Sequence, residues 1–328
     1  MNITAETILE TSGAYWKSCT LHAAVELGIF TVIDREVLTA EEIGRTIGGS
    51  ARGVPMLLNA LTAMGILRRD GRAYANTEGS LTLLSGKSPR YIGHLILHHH
   101  NLMDSWNRLA EAVKTGRPQR ISAAVDNETV RRNFLMGMFT IAAILGPLVA
   151  EVVNLSGRSR LLDLGGGPGT YAIHFCLKNP GLRATVFDLP TTQPLAEQTI
   201  RRFGLADRIE FTGGDFVNDD FGGPYDAAWL SQILHGEGPE VCRAIIAKAA
   251  RALAPGGMAL IHEFILDDTM DGPLPPALFS LNMLVGTVEG RSYGEGEIRE
   301  MMAAAGFRNV KRLAFRSRTD SGILVGEI

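Results

Sequence analysis

Arg160-Leu161-Leu162-Asp163-Leu164-Gly165-Gly166-Gly167-Pro168-Gly169-Thr170 is an apolar run that ends in a glycine cluster, and a helix-compatible segment, Tyr171-Ala172-Ile173-His174-Phe175, follows at once. Such a run reads as a parallel β-strand turning sharply into a helix at the carboxyl edge of an open sheet, the edge where ligands bind. Gly165, Gly167 and Gly169 let the backbone pass close to a bound molecule, because a Cβ there would collide with it or forbid the dihedrals of the turn.

Outward from this stretch, strands and helices alternate, which implies a parallel sheet. Further strands are expected at 182–188, 208–211, 225–231 and 258–263, a helix at 239–253 ending at Pro255-Gly256-Gly257, then a helix at 295–305 and strands at 310–315 and 322–328. Asp188 ends the second strand, where a carboxylate can accept hydrogen bonds from both hydroxyls of a ribose. A dinucleotide fingerprint needs a third glycine or alanine where Thr170 stands, and the pattern here is Asp163-x-Gly165-x-Gly167-x-Gly169. Asp215, after Gly213-Gly214, is placed to accept from the exocyclic amine of an adenine. Two carboxylates on neighbouring strands suit an adenosine cofactor without a diphosphate.

At 328 residues the chain is long enough for about two domains, and 45% hydrophobic content is ample for a buried core. The net charge of −3 leaves no electrostatic footprint for nucleic acid or an anionic membrane. Cys19, Cys176 and Cys242 are far apart and odd in number, which suggests neither a disulfide framework nor a zinc site. No basic-then-apolar signal opens the chain, and a cytoplasmic protein is expected.

Before the glycine stretch, residues 5–30 carry apolar positions at helical spacing, among them Ile8, Leu9, Tyr15 and Trp16. Thr39 and Glu42 form a capping box, Ser50 can cap a further helix to residue 64, and residues 66–77 read as a hairpin turning at Asp70-Gly71. Three helices and a hairpin form a winged-helix pattern, which first suggests DNA binding. Residues 1–100, however, hold nine Lys/Arg and nine Asp/Glu, and the presumptive recognition helix carries one cation, Arg52. Phosphate neutralisation needs several cations on one face, so a dimerisation or substrate-covering module is the better reading.

His94, His98, His99 and His100 cluster before Asn101. Consecutive histidines diverge around a helix, so a helix lining a pocket or interface is favoured over a metal site. Residues 134–150 are apolar and uncharged, short of a membrane span and interrupted by Gly137, Gly146 and Pro147. A buried helix joining the two halves, or packed against a second subunit, is expected there.

The glycine loop, Phe187-Asp188-Leu189-Pro190, Gly213-Gly214-Asp215-Phe216 and Leu253-Ala254-Pro255-Gly256-Gly257 resemble, in order, the motifs of class I S-adenosylmethionine-dependent methyltransferases. The whole chain resembles the O-methyltransferase family of plant caffeate and flavonoid enzymes, acetylserotonin methyltransferase and bacterial secondary-metabolite enzymes. The resemblance extends to the N-terminal module, which in that family mediates homodimerisation and closes the substrate pocket. It implies an α/β fold: a Rossmann-like seven-stranded methyltransferase sheet with a mainly helical winged-helix dimerisation domain. The domains it implies are 1–100 for dimerisation, 101–155 for connecting helices lining pocket and interface, and 156–328 for S-adenosylmethionine binding.

The same resemblance implies S-adenosylmethionine as cofactor and S-adenosylhomocysteine as product. Contacts to it fall at Asp163, Gly165 and Gly167, at Asp188 and Leu189, at Gly214, Asp215 and Phe216, and at Ser231. His235, in Leu234-His235-Gly236-Glu237, matches the family's catalytic base, and Glu263 the carboxylate that orients it. Two positions depart from the pattern. Gly236 replaces an Asp, and the second carboxylate of the base falls in Thr287-Val288-Glu289-Gly290-Arg291-Ser292, one residue short, leaving Glu289 as its candidate. Phe134, Met138 and Met283 match positions touching the methyl-donor end or an aromatic acceptor, and His98 joins them as an acceptor contact. His262 should face away from the site, since neighbours in a strand alternate. Trp106 and Trp229 are read as core or interface.

The expected protein is thus a homodimeric methyltransferase acting on a hydroxyl of a small aromatic metabolite, with no metal, nucleic acid or membrane partner. Two alternatives remain at this stage: methylation of nitrogen or carbon, metal-assisted or not, and a winged-helix regulator that only senses the ligand.

Overall fold

Residues 3–119, 127–315, 317 and 320–328 are described by the computed structural model. Residues 120–126, part of the expected connecting region 101–155, lie outside them. The chain divides into two compact units: Met1–Met103 with Asn127–Gly137, and Asp104–Asp126 with Met138–Ile328.

In the first unit, α1 (Ala5–Gly13), α2 (Tyr15–Glu26) and α3 (Ile29–Ile33) precede β1 (Leu38–Thr39), α4 (Ala40–Ile47) and α5 (Gly53–Ala63). β2 (Leu67–Asp70) and β3 (Ala73–Asn76) form the expected hairpin, and β1 joins it in the order β1-β3-β2. The Thr39 capping box is present, with Glu42 N–H donating to Thr39 Oγ1 at 3.3 Å and Thr39 N–H to Glu42 Oε2 at 2.8 Å. Ser50 accepts from Gly53 N–H at 3.0 Å, so α5 begins three residues beyond the expected cap. This helix turns Val54, Leu58 and Leu61 into a core with Ile29, Phe30, Ile33 and Ile43. α1, in contrast, buries no residue, and Ile8, Leu9, Tyr15 and Trp16 are 57%, 71%, 56% and 69% exposed. The helical spacing of these side chains is realised as helix, and among the described residues their apolar face stays exposed. The short helix α6 (Glu78–Leu83) and α7 (Gly93–Trp106) complete the sequence up to the second unit.

The second unit follows α8 (Leu109–Thr115) with α9 (Glu128–Val152), whose first turns belong to the first unit. α9 is long and apolar enough, by length and composition, to cross a membrane. It is buried on one side only: Val149 and Ala150 join the core, while Ile141, Ile144 and Leu148 are exposed.

Beyond it lie β4 (Arg160–Leu164), α10 (Thr170–Lys178), β5 (Arg183–Asp188), α11 (Gln193–Arg202), β6 (Ile209–Gly213), β7 (Tyr225–Ser231), α12 (Pro239–Ala252) and β8 (Leu253–Leu266). Then come α13 (Leu274–Gly286), β9 (Tyr293–Gly294), α14 (Glu295–Ala304), β10 (Arg308–Arg312) and β11 (Ser321–Glu327). The sheet order is β10-β11-β8-β7-β4-β5-β6, with β9 a short addition beside β8. β4 to β8 are parallel; β11 and β10 close the far edge antiparallel. Alternate residues enter cores on opposite faces: Leu161 and Trp229 on one, Leu162 and Leu230 on the other. Burial on both faces explains the near-continuous apolar strands. The chain runs from β4 outward to β6 on one side and returns to β7 on the other, which places a crevice at the carboxyl end of β4.

Two expectations are corrected here. Pro255-Gly256-Gly257 does not precede β8 but interrupts it: Leu253 pairs with Tyr225 and Met258 with Ala227, so the residues between bulge out around Gly256 at φ 75°. α13 has no counterpart among the expected elements, because Pro273, Pro275 and Pro276 look like a loop; proline is tolerated in a first helical turn, where no N–H is needed.

Candidate active site

The glycine loop joins β4 to α10. Gly165 has φ 65°, and a Cβ on it would lie 2.4 Å from Ile233 Cγ2, so the loop is packed directly against the segment leading to His235. Gly167, at φ 53°, has no atom within 4 Å of where its Cβ would be, and its N–H donates to Asp188 Oδ2 at 2.8 Å. One glycine permits close protein packing; the other leaves open space over the loop.

Two carboxylates support this turn. Asp163 is 1% exposed; its Oδ2 accepts from Ala172 N–H at 3.2 Å, and its Oδ1 is buried without a partner. Burial pushes its carboxyl up to about 7, against the pull of the Ala172 hydrogen bond and with help from the nearby Asp188 charge. Asp188, at the end of β5, also accepts from Leu189 N–H at 2.7 Å and Thr192 Oγ1 at 3.2 Å. Burial raises its pKa, opposed by its hydrogen bonds with Gly167, Leu189 and Thr192. These three donors leave one of its roughly four acceptor directions for a ribose. Leu189 beside it is 51% exposed, an apolar surface on the same rim.

After β6, Gly214 makes room for Phe187, whose Cζ would lie 2.3 Å from a Cβ there. Asp215 caps its own turn, accepting from Val217 N–H at 2.8 Å and Asn218 Nδ2 at 2.6 Å. Phe216 is partly buried against the sheet's core. Ser231, at the end of β7, has its hydroxyl on His262 Nδ1 at 2.9 Å. Next to it Gln232 has φ 60° and a buried Oε1 without a partner. Gln232 thus adds a left-handed backbone and an unpartnered acceptor to the candidate edge; no sequence pattern signals either property.

His235 sits in a 3-10 turn, Leu234–Gly236. Its Nδ1 lies 2.8 Å from Glu263 Oε2, and the other Glu263 oxygen accepts from Leu234 N–H at 2.8 Å. The side chains are 15% and 2% exposed, respectively. A carboxylate only accepts, so Nδ1 carries a hydrogen, and in the neutral ring the lone pair falls on Nε2. Behind the turn, Cys242 Sγ donates to Leu234 O at 3.1 Å and Tyr293 Oη to Glu237 O at 2.5 Å. The imidazole meets Phe279 edge-on at 4.7 Å, and Phe279 lies 4.3 Å from Phe264. The expected pair His235 and Glu263 is therefore assembled, with Phe264, Phe279, Tyr293 and Cys242 as neighbours not foreseen.

Glu289 is exposed and makes no hydrogen bond to His235; its Oε2 packs 2.3 Å from where a Gly238 Cβ would be. A Cβ on Gly290 would lie 2.5 Å from His235 O, so this loop presses on the backbone of the turn. Met283 is buried in α13 and Met138 half-buried in α9. Phe134 and His98 belong to the first unit, their rings 5.3 Å apart. There too, His94 Nδ1 meets Asn133 Oδ1 at 2.9 Å, and among the described residues no cluster of three His, Cys, Asp or Glu side chains could hold a metal.

The orphaned Asp163 oxygen, the open space over Gly167 and the exposed Leu189 fit an adenosine cofactor whose amino acid end is polar. A family model described as the O-methyltransferase domain matches residues 106–308, and one described as the O-methyltransferase dimerisation domain matches residues 9–86. The chain is similar to 3-hydroxy-5-methyl-1-naphthoate 3-O-methyltransferase of Streptomyces sahachiroi, 36% identical with 95% of this chain and 92% of the relative covered. It is 34% identical to acetylserotonin O-methyltransferase of Bos taurus, with 92% of each chain covered. The human N-acetylserotonin methyltransferase, solved in complex with S-adenosylmethionine, superposes with a TM-score of 0.88 at 28% identity, covering 99% of this chain and 98% of that one. The chain belongs to the O-methyltransferase family. It is an S-adenosylmethionine-dependent methyltransferase, which decides between enzyme and ligand-sensing regulator in favour of the enzyme.

Proposed function

We propose that the enzyme methylates a hydroxyl of a small aromatic metabolite, with His235 as the general base and Glu263 as the group that holds it. The observation that carries this reading is the His235–Glu263 pair at 2.8 Å on a turn packed against the glycine loop. Asp163, Gly165, Gly167, Asp188, Leu189, Gly214, Asp215 and Phe216 would hold S-adenosylmethionine, which would supply an electrophilic methyl group on a sulfonium. Ser231 contributes to that site through its backbone position at the strand end. His235 Nε2 accepts the hydroxyl proton as the oxygen's negative charge develops, and Glu263 stabilises the imidazolium that results. A phenol's pKa near 10 is within reach of such assistance. Phe264 and Phe279 place aromatic surface beside the imidazole, suited to an aromatic acceptor. Met283 and Met138 supply adaptable apolar contact. Phe134 and His98 are retained as acceptor contacts, and Glu289 as an auxiliary carboxylate, on the family resemblance alone.

His235→Ala is expected to lower kcat by about 10²-fold or more with cofactor affinity unchanged, measured as S-adenosylhomocysteine formed from phenolic acceptors. An unaffected rate removes His235 from the mechanism.

The protein further acts as a homodimer through the winged-helix module. The match to a dimerisation domain and the uncovered Ile8, Leu9, Tyr15 and Trp16 support this. Its cysteines are unpaired, as suits the cytoplasm.

A further inference from the structure

We propose that His262 is a positioning residue of the cofactor site, tying the end of β7 to the antiparallel edge of the sheet through one directed chain of hydrogen bonds. The proposal rests on the reading of the glycine loop as the place where S-adenosylmethionine binds. His262 is 1% exposed and lies on the face of β8 opposite Glu263. Its ring stacks on Trp229 at 5.5 Å and is met edge-on by Tyr171 and Phe315, each at 5.8 Å. Both ring nitrogens are used: Nδ1 lies 2.9 Å from Ser231 Oγ and Nε2 2.9 Å from Ser321 Oγ.

The outer partners fix the direction. Ser321 donates its hydroxyl hydrogen to Ser317 Oγ at 2.7 Å, so it can only accept from His262, and Nε2 must carry the ring's hydrogen. Nδ1 is then bare and accepts from the Ser231 hydroxyl. The hydrogens run one way: Ser231 to His262 to Ser321 to Ser317.

Only the neutral imidazole completes this chain, because a protonated ring would direct a second N–H at Ser231 and reverse that hydrogen bond. Burial lowers the His262 pKa to about 4, with the Glu263 charge opposing, so the neutral ring persists at physiological pH. The hydroxyl it bonds, Ser231, and the ring it meets edge-on, Tyr171, flank the cofactor loop. Ser231 immediately precedes Gln232, with its φ of 60°, and Tyr171 immediately precedes Ala172, whose N–H is bonded to Asp163.

Ser231→Ala and Ser321→Ala each delete the hydroxyl on one side of the His262 ring, and Thr185→Val deletes a buried hydroxyl of the same sheet that is bonded to Glu210 instead. Calorimetric titration of S-adenosylhomocysteine into these proteins, without acceptor, tests the proposal. Ser231→Ala and Ser321→Ala should each weaken binding about fivefold, the scale of one neutral hydrogen bond. The double variant should be no weaker than the worse single one, because both break the same chain, whereas Thr185→Val should leave affinity unchanged. Losses that multiply in the double variant, or unchanged affinity in variants that retain the wild-type circular dichroism spectrum, overturn the proposal. Since no acceptor is present, a failure of His235 as base would not alter the result.

Discussion

Replacing Glu263 with glutamine preserves the shape of the side chain and reverses one hydrogen bond. In the native enzyme one oxygen accepts from Leu234 N–H and the other from His235 Nδ1, each at 2.8 Å. Glutamine has one oxygen and one NH2 for the same two partners. With its NH2 toward Leu234, two donors would confront each other, stranding a buried N–H at a cost of about 1–3 kcal/mol. The oxygen therefore stays on Leu234, and the NH2 faces Nδ1. That contact is favourable only when Nδ1 is bare, which moves the imidazole hydrogen to Nε2. A ring in this tautomer has no lone pair for the acceptor's proton. The general base contributes about 10²–10⁴-fold, so kcat should fall by that factor while cofactor affinity stays constant. Initial rates of S-adenosylhomocysteine formation at saturating cofactor and acceptor measure the first, and calorimetry the second. A Glu263→Gln enzyme within about threefold of wild-type kcat would refute the tautomer argument.

Asp163 makes stability depend on pH. Its folded pKa is raised by burial from 3.8 to about 7, so the stability it contributes is full below 3.8 and is lost as pH rises to about 7. Thermal melts without cofactor should show Asp163→Asn gaining on wild type across that interval, by a few kcal/mol at most, with a constant gap above it; a gap independent of pH would contradict the assignment. Gly165→Ala places a Cβ 2.4 Å from Ile233 Cγ2 at φ 65° and should cost about 2 kcal/mol or more in urea unfolding. Gly167→Ala meets no atom within 4 Å, should cost only about 1 kcal/mol, and should lose cofactor binding instead; equal stability losses would deny the distinction. Trp16→Glu, at a side chain 69% exposed, should shift the protein to monomer in sedimentation velocity without altering its melting temperature.

Much of the second unit was legible because its signals are local. Strands buried on both faces have to be apolar throughout, and Gly165, Gly167 and Gly169 take up the positive φ angles of their turn. Thr39 and Glu42 likewise announce a helix start through chemistry confined to four residues. His235 and Glu263 were identified by resemblance, 28 residues apart, and only adjacent strand ends bring them to 2.8 Å. What escaped depends on partners distant in sequence. Nothing in Gln232 itself reveals a left-handed backbone, and Cys242 and Tyr293 reach the His235 turn only through tertiary packing. Asp188 and Asp215 were read as acceptors for a nucleoside, and both also bind the protein's own N–H groups, which a pattern of residues does not display. The apolar spacing of Ile8, Leu9, Tyr15 and Trp16 was visible, but the direction in which such a face is covered is not encoded within one chain.

The interruption of β8 at Pro255-Gly256-Gly257 has a consequence for how the enzyme tolerates changes of length. Between Leu253 and Met258 this strand advances five residues while β7 advances two, so slack is stored between its two paired segments. A residue added or removed there can be taken up by the slack, leaving Met258 in step with Ala227. The same change made after Met258 would invert the strand, turning Glu263 into the stacked aromatic layer and His262 toward the substrate. The bulge thus serves as an expansion joint upstream of a segment whose phase must not slip.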